Sequence, residues 1–128
     1  MRRPGPPREL PPPLEIECMK SLWRLGEASV KQVREEMLFR KQLAYTTVMT
    51  LLERLVKRGR AQRRKHGRAF LYSPLATQAE LRRLAVEELL LLHFDGSREE
   101  LQAYLNGARP HAAELPPADE TRLDTTLL

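Results

Sequence analysis

The sequence predicts a mainly α-helical protein with a small β-hairpin: a winged helix-turn-helix followed by a C-terminal helical dimerisation hairpin. Three observations lead to this fold class. Segments with apolar residues at helical spacing follow one another between residues 13 and 59. Two short extended runs separated by a His-Gly turn come next. The region after them holds more apolar helix than a lone surface helix needs.

Charge divides the chain of 128 residues, whose net charge is +5, into regions with different roles. Residues 40–72 hold ten basic residues against one acidic residue, Glu53, whereas residues 73–128 hold five basic and ten acidic residues. A basic middle indicates that a polyanion binds there, and the acidic last third indicates a second role. The expected organisation is a flexible Pro/Arg-rich arm, a winged-helix DNA-binding domain, a helical dimerisation region and a poorly ordered tail, at 1–12, 13–74, 75–107 and 108–128 respectively.

The composition argues against several classes of protein. A single cysteine excludes an internal disulfide and a thiol-based metal cluster. No apolar run reaches membrane-spanning length, and the first residues lack the apolar segment of a signal peptide, so we expect a cytoplasmic protein without membrane insertion. No nucleophile-base-acid set, ligand-spaced histidine or Gly-rich loop after a strand stands out. We therefore expect no enzyme activity, catalytic residue, metal, cofactor or small-molecule ligand.

The first helix is predicted from Pro13 to Leu25, because proline is tolerated at a helix start and Gly26 is a natural terminator. Cys18 lies on its apolar stripe and is expected to be a small core residue without a redox role. The stripe comprises Leu14, Cys18, Leu22 and Leu25 and is widened by Ile16, Met19 and Trp23. Four glutamates are expected on solvated helix faces: Glu15, Glu17, Glu35 and Glu36.

A capping box of Ser29 and Gln32 opens the second helix, in which Val30, Val33 and Met37 face inward. This helix is joined by a turn to a third helix with a polar start, and the two together form the helix-turn-helix pattern.

The third helix is predicted within Leu43–Gly59, and the rest of the chain is organised around it. Its apolar stripe comprises Val48, Leu51, Leu52 and Leu55. The opposite face starts with threonines and a methionine and ends with long cations, which suits a helix that enters a DNA major groove and contacts phosphates farther along. On this helix alone, a solvent face that happens to be rich in threonine explains the pattern equally well. Ala44, a poor N-cap, leaves backbone amides available to a DNA phosphate.

The wing is predicted as two strands, Ala61–Lys65 and Ala69–Ser73, with a turn at His66–Gly67. Phe70 and Tyr72 are expected to present one aromatic face to the core. Five cations crowd this hairpin, and a polyanion beside them would remove their mutual repulsion; they are Arg60, Arg63, Arg64, Lys65 and Arg68.

The C-terminal hairpin opens with a capping box of Thr77 and Glu80, and its first helix runs to about His93. A further box of Ser97 and Glu100 opens the last helix, which ends near Gly107. Such an apolar hairpin beyond a complete domain is expected to pack against a second copy, with folding back onto its own domain as the alternative. The predicted dimerisation residues are Leu81, Leu84, Leu89, Leu92, Phe94, Leu101, Tyr104 and Leu105.

Over residues 13–106 the sequence resembles the penicillinase-repressor (BlaI/MecI) family of bacterial winged-helix regulators. The residues that carry the resemblance, in order, are LEIECMKSLWRLGEASVKQV, LAYTTVMTLLERLVKRG, GRAFLYSP and FDGSREEL. It implies a homodimer that represses transcription from a double-stranded inverted-repeat operator. By position, the family's base contacts fall on Thr46, Thr47, Met49 and Thr50. We expect contacts with the DNA backbone from Tyr45, Arg54, Lys57, Arg63, Arg64, Lys65 and Arg68.

The resemblance also implies a mode of regulation. Family members are often cleaved in the C-terminal region after a membrane sensor-protease detects a β-lactam, and Leu90–Asp95 is the candidate segment here. Some members carry a long cation at the position of Met49; a thioether packs against a thymine methyl instead, so the operator need not match theirs. The cysteine-rich metal site of copper-responsive relatives is missing from this sequence, which excludes copper sensing by that route.

Two other functions fit a winged helix. A protein-interaction module would bind duplexes weakly and without salt dependence. An RNA-binding domain would need stacking aromatics, which are scarce here.

Overall fold

The computed structural model describes residues 9–107, which form five helices and one antiparallel hairpin. The elements are α1 (Pro13–Leu25), α2 (Val30–Glu36), α3 (Tyr45–Lys57), β1 (Ala61–His66), β2 (Ala69–Pro74), α4 (Gln78–His93) and α5 (Arg98–Leu105). The mainly helical class with a small hairpin is confirmed. The predicted tail and most of the predicted arm lie outside the described residues. Within residues 9–107, no helix is both long and apolar enough to cross a membrane.

Contacts divide the chain into two units, of which the first ends at Glu88 and the second begins at Leu89. The core of the first unit is built by the apolar faces of α1, α2 and α3, and the hairpin and the start of α4 add to it. All four predicted stripe residues of α3 are buried, as are the two inward residues of α2 and Met37 directly after it. These buried residues are Val48, Leu51, Leu52, Leu55, Val30, Val33 and Met37.

The buried face of α1 is rotated from the predicted one. It is centred on Glu15, Cys18, Met19 and Leu22, which follow one another at helical spacing. Leu25, predicted as a stripe residue, lies at the edge of this face in the last position of the helix and is 41% exposed. The expectation that Glu15 is solvated is also wrong, since this side chain is buried.

The hairpin register pairs Arg63 with Tyr72 and His66 with Ala69. The two turn residues are therefore Gly67, with a φ of 64°, and Arg68, one position later than predicted. On the outer edge of β2, the backbone N–H of Ala28 donates to the Tyr72 carbonyl at 2.9 Å, and the Tyr72 N–H donates back at 2.7 Å. This bridge attaches the hairpin to the turn between α1 and α2.

The aromatic face of β2 reaches the core only in part. Tyr72 is buried, whereas Phe70, nearer the turn, is 37% exposed, so its predicted burial is wrong. The Arg63 guanidinium covers the ring of Phe70 at 4.1 Å from its centroid. A hairpin that extends beyond the body leaves its outer residues without core neighbours, and a cation takes their place here.

Two of the three predicted capping boxes are complete. The Ser29 and Thr77 hydroxyls accept from the N–H groups of Gln32 and Glu80, whose side chains accept from the N–H groups of Ser29 and Thr77. At Ser97 only half of the box forms. Its hydroxyl accepts from the Glu100 N–H at 3.1 Å, but its own N–H donates to the Phe94 carbonyl at 2.8 Å.

Candidate nucleic-acid interface

The exposed face of the first two turns of α3 collects the predicted base-contact residues. Thr46, Thr47, Met49 and Thr50 are all exposed there, around the buried Val48. Tyr45, predicted to contact the DNA backbone, is exposed at the first position of the helix. This end of α3 therefore presents hydroxyls, a thioether and a phenol to solvent, without a charged side chain among them.

Ala44 is the N-cap of α3, as predicted, and offers no side-chain oxygen to the first backbone amides. The first N–H groups of a helix have no partner within the helix, and they carry the positive end of its dipole. An anion such as a phosphate can satisfy them.

A polar cluster fixes the turn that leads into α3. The Arg40 guanidinium donates to Glu17 Oε1 at 2.8 Å and to Ser21 Oγ at 3.2 Å, and it pairs with Glu36 at 3.2 Å. Although burial alone raises the pKa of Glu36, hydrogen bonds from Ser21, Arg24 and Arg40 lower it to about 2. Glu17 and Glu36 are thus only partly exposed, which corrects their predicted solvated position.

Two arginines of the wing that are predicted to contact the DNA backbone form ion pairs with carboxylates of the protein itself. Arg64 donates from Nε and Nη2 to the two oxygens of Glu27, at 2.7 and 2.8 Å. Arg63 donates from Nη1 to Glu53 Oε2. The hydrogen bond from Arg64 also lowers the pKa of Glu27 below its usual range. Both guanidinium groups therefore donate some of their hydrogen bonds to carboxylates of the protein.

Glu53 joins α3 to the wing, a role that sequence reasoning missed. Its Oε2 accepts from Arg63 and also from the hydroxyl of Tyr72. Burial of Tyr72, together with the neighbouring Glu53 carboxylate, raises the pKa of the phenol to about 12. One feature of the sequence could have indicated this role: Glu53 is the one acidic residue among ten basic ones between residues 40 and 72.

Arg60 does not belong to the cationic surface of the wing, contrary to prediction. Only 2% exposed, it lies with Nη1 at 3.7 Å from Glu15 Oε1, and its Nη2 donates to the Glu9 carbonyl at 2.6 Å. Gly59, with a φ of 78°, turns the chain between α3 and β1 just before it. Burial lowers the pKa of Arg60.

Four cations that are predicted to contact the DNA backbone are exposed and make no ion pair within 4.0 Å among residues 9–107. Arg54 and Lys57 lie on the later turns of α3, and Lys65 and Arg68 lie near the tip of the hairpin. An open groove of about 640 Å³ runs between α3 and the hairpin, and Met49, Phe70 and Tyr72 are among its lining residues. Of these four cations, Arg54 and Lys57 line the groove, whose surface is largely apolar.

Reactive and metal-binding groups are few in the part of the chain that the structure describes. Within it, no group of three or more His, Cys, Asp or Glu side chains is arranged to hold a metal ion. Burial raises the pKa of the Cys18 thiol to about 12, so this residue is a core side chain, as predicted, and not a nucleophile.

Comparison with known proteins gives consistent results. A family model described as "Penicillinase repressor" matches residues 12–127. The "Transcriptional regulator BlaI" of Mycobacterium tuberculosis is 38% identical over 109 residues, which cover 84% of this chain and 74% of that protein. The "Penicillinase repressor" of Bacillus licheniformis is 26% identical over 83 residues, or 65% of each chain. Among solved structures, the DNA-binding domain of the repressor BlaI is similar with a TM-score of 0.52 and 26% identity, over 59% of this chain and 93% of that one.

Proposed function

Since this chain belongs to the penicillinase-repressor family, we propose that it represses transcription as a homodimer bound to an inverted-repeat DNA operator. Its family and its 38% identity with the mycobacterial regulator make it a DNA-binding transcriptional repressor. The observation that carries the proposal further is the arrangement of α3, whose uncharged start is followed on the same helix by free cations.

Base reading belongs to the first two turns of α3. The hydroxyls of Thr46, Thr47 and Thr50 can donate to or accept from base edges, and Met49 can pack against a thymine methyl. All four are exposed, so no rearrangement of the core is needed before they meet a base. Sequence preference is therefore assigned to these side chains.

Backbone binding belongs to the cations that have no carboxylate partner in the described structure. Arg54 and Lys57 line the groove beside α3, and Lys65 and Arg68 lie near the tip of the hairpin. Phosphates attract such side chains whatever the base sequence. The open amides at the start of α3 add a further phosphate site. Affinity for DNA in general is assigned to this set.

The homodimer is supported by the exposed apolar side chains between residues 89 and 107. Leu91 is 71% exposed and Leu92 is 66% exposed, although both are large aliphatic residues. Tyr104 and Leu105 are similarly exposed on α5, and Phe94 packs against Tyr104 with ring centroids 5.8 Å apart. Apolar groups of this size and number favour burial against a second copy.

The test is selection of duplexes from a randomised library, followed by sequencing of the bound fraction. We expect an inverted repeat whose half-sites lie about one helical turn apart, roughly 34–36 Å between centres. Thr50→Ala is expected to enrich a different sequence. Lys57→Ala is expected to enrich the same sequence with lower affinity and a salt slope reduced by about one. Enrichment of no sequence by the wild-type chain would overturn the proposal.

Relief of repression is proposed to follow proteolysis within Leu90–Asp95 by a membrane sensor-protease. Leu90–His93 belong to the last turn of α4, whereas the bond between Phe94 and Asp95 lies outside the helices. A protease reaches an unwound bond more readily than one in a helix, so this bond is the preferred position. Intact protein recovered from β-lactam-treated cells would remove this part of the proposal.

A further inference from the structure

One carboxylate oxygen connects the reading helix to both strands of the wing. Glu53 lies on α3, and its Oε2 accepts from Arg63 in β1 and from the Tyr72 hydroxyl in β2. Arg63 and Tyr72 are also directly opposite each other in the strand register. A single acceptor thus contacts a cross-strand pair, and the hairpin cannot rotate about its own axis without losing one of the two bonds.

Both donors are themselves held in place. The Arg63 guanidinium lies 4.1 Å from the centroid of the Phe70 ring, which fixes it between the ring and the carboxylate. Tyr72 is buried, and its backbone is bonded to Ala28 in both directions. The contacts therefore form a continuous path from α3 through the wing to the turn between α1 and α2.

A carboxylate on the DNA-facing side of a repressor carries a cost. It repels phosphates and neutralises a cation that would otherwise attract them. Glu53 is the one acidic residue between residues 40 and 72, where ten basic residues lie. A role that offsets this cost is the placement of the wing relative to α3, because wing and helix must contact the same duplex at once.

We propose that Glu53 is a positioning residue that holds the wing at a fixed distance and angle from the reading face of α3, and that Arg63 acts through Glu53 instead of binding phosphate. This inference rests on the proposed function, since it concerns how two surfaces meet one duplex. It assigns the salt-dependent part of binding to the four free cations and gives Arg63 a geometric role.

The opposite view makes Glu53 a simple competitor of DNA for Arg63. The two views predict opposite changes in DNA affinity when Glu53 is removed. If Glu53 competes, its removal frees Arg63, so affinity rises and the salt slope increases by about one. If Glu53 positions the wing, its removal lowers affinity while the salt slope stays the same.

The variants are Glu53→Ala, Glu53→Gln and Arg63→Ala, with Glu27→Ala and Glu27→Gln as matched controls. Each glutamate substitution replaces a carboxylate that binds an arginine of the wing and so removes one negative charge. Of the two glutamates, only Glu53 belongs to α3. The glutamine variants remove the same charge as the alanine variants and keep an oxygen that can still accept hydrogen bonds. Dissociation constants are measured over a salt series on the duplex that the wild-type chain enriches and on a random-sequence duplex of equal length.

Glu53→Ala is expected to bind the enriched duplex about tenfold more weakly, the size of effect that loss of a charge-assisted hydrogen bond gives. Glu53→Gln is expected to recover most of that loss. Arg63→Ala is expected to lose affinity too, but no more than Glu53→Ala, because the bond from Tyr72 to Glu53 remains, and the double variant should be no worse than Glu53→Ala. Neither Glu27 variant is expected to lose affinity. A tighter Glu53→Ala complex, a lower salt slope for Arg63→Ala, or an equal loss in Glu27→Ala would each overturn the inference.

A second measurement needs no DNA. Hydrogen exchange of the free chain is expected to be faster in β1 and β2 of Glu53→Ala than of the wild type, unchanged in α1, and close to wild type in Glu53→Gln. Equal exchange in all variants would overturn the inference, whatever their affinity for DNA. A wild-type chain that enriches no duplex would instead contradict the proposed function, while exchange would still report on the contact of Glu53.

Discussion

Arg60 is a buried charge whose partners come from distant parts of the sequence. Its guanidinium lies near the Glu15 carboxylate of α1 and donates to the Glu9 carbonyl, while its own carbonyl accepts from the N–H groups of Leu75 and Ala76. Arg60 Nε and Nη1 and Glu15 Oε1 have no hydrogen-bond partner within the described structure. A buried pair with incomplete hydrogen bonding adds little net stability, but breaking it leaves a charge without compensation.

We therefore predict that Arg60→Ala lowers the free energy of unfolding by about 3 kcal/mol, because Glu15 then stays buried without a cation. The double variant Glu15→Leu with Arg60→Met is expected to be close to wild type, since two apolar side chains can fill the same space. Urea unfolding followed by circular dichroism measures both. Additive losses in the double variant would show that burial of the charges is not the cause.

Helical spacing predicts most of the buried apolar residues, with Leu25 as an exception, but it does not predict the partner of a charge. The stripe of α3 and the core position of Cys18 follow from helical periodicity alone, because burial depends on which face a residue occupies. The roles of Arg60 and Glu53 depend on residues far away in sequence, and a list of charges contains no such information. Charge type alone placed Arg60 among the cations of the wing, which the structure corrects, and it assigned Glu53 no role.

The start of α3 is a helix end without a side-chain cap, and Ala44→Ser tests what its amides do. A serine hydroxyl at this position accepts from a first-turn N–H, so the free energy of unfolding is expected to rise by about 1 kcal/mol. If a DNA phosphate uses the same amides, affinity is expected to fall at the same time. Thermal unfolding and duplex binding are measured on the same preparation. Higher stability with unchanged affinity would exclude the phosphate contact.

The cluster that joins α1 to the end of α2 and the following turn is expected to make stability depend on acid. The pKa of Glu36 is about 2 in the folded chain, below its ordinary value of 4.5. A lowered folded pKa stabilises the fold above the unfolded pKa, and this stabilisation is lost as the pH falls from about 4.5 toward 2. Glu36→Gln removes the titrating group, so the loss of stability over this interval is expected to be smaller than in wild type. Urea unfolding at a series of acidic pH values measures it, with Glu35→Gln as the matched exposed control.

Helix bounds follow closely from sequence because the signals are local. Pro13, Gly26 and the Ser29–Gln32 box place the ends of α1 and the start of α2 where the structure has them. The hairpin turn was predicted one residue early, since its position depends on the pairing of Arg63 with Tyr72 across the strands. The Ser97 box is incomplete for a similar reason, because the preceding turn takes the serine N–H.

At the scale of the molecule, six of the eight predicted dimerisation residues separate into two groups, and the other two, Phe94 and Leu101, are half-buried. Leu81 is buried in the core of the first unit, and Leu84 packs against that core. Folding back onto the chain's own domain, the alternative at the sequence level, thus holds for the start of α4. Leu89, Leu92, Tyr104 and Leu105 are exposed in the second unit, where the described residues do not cover them. Exposed apolar residues between 89 and 107 are the surface on which the proposed dimer depends.

Leu92→Glu tests that surface. A twofold interface uses the same residue from both copies, so each substitution removes two buried leucines, at about 1.5–3 kcal/mol for each, and places two like charges near the axis. Sedimentation is expected to show a shift from dimer to monomer, and affinity for the full inverted repeat is expected to fall while affinity for a single half-site is retained. The loss is confined to the full site because two linked domains bind one repeat with a high effective concentration, which a monomer lacks.

Leu25→Glu, at another exposed leucine, is the matched control and is expected to remain dimeric. A dimeric Leu92→Glu with normal binding to the full repeat would place the dimer contact elsewhere.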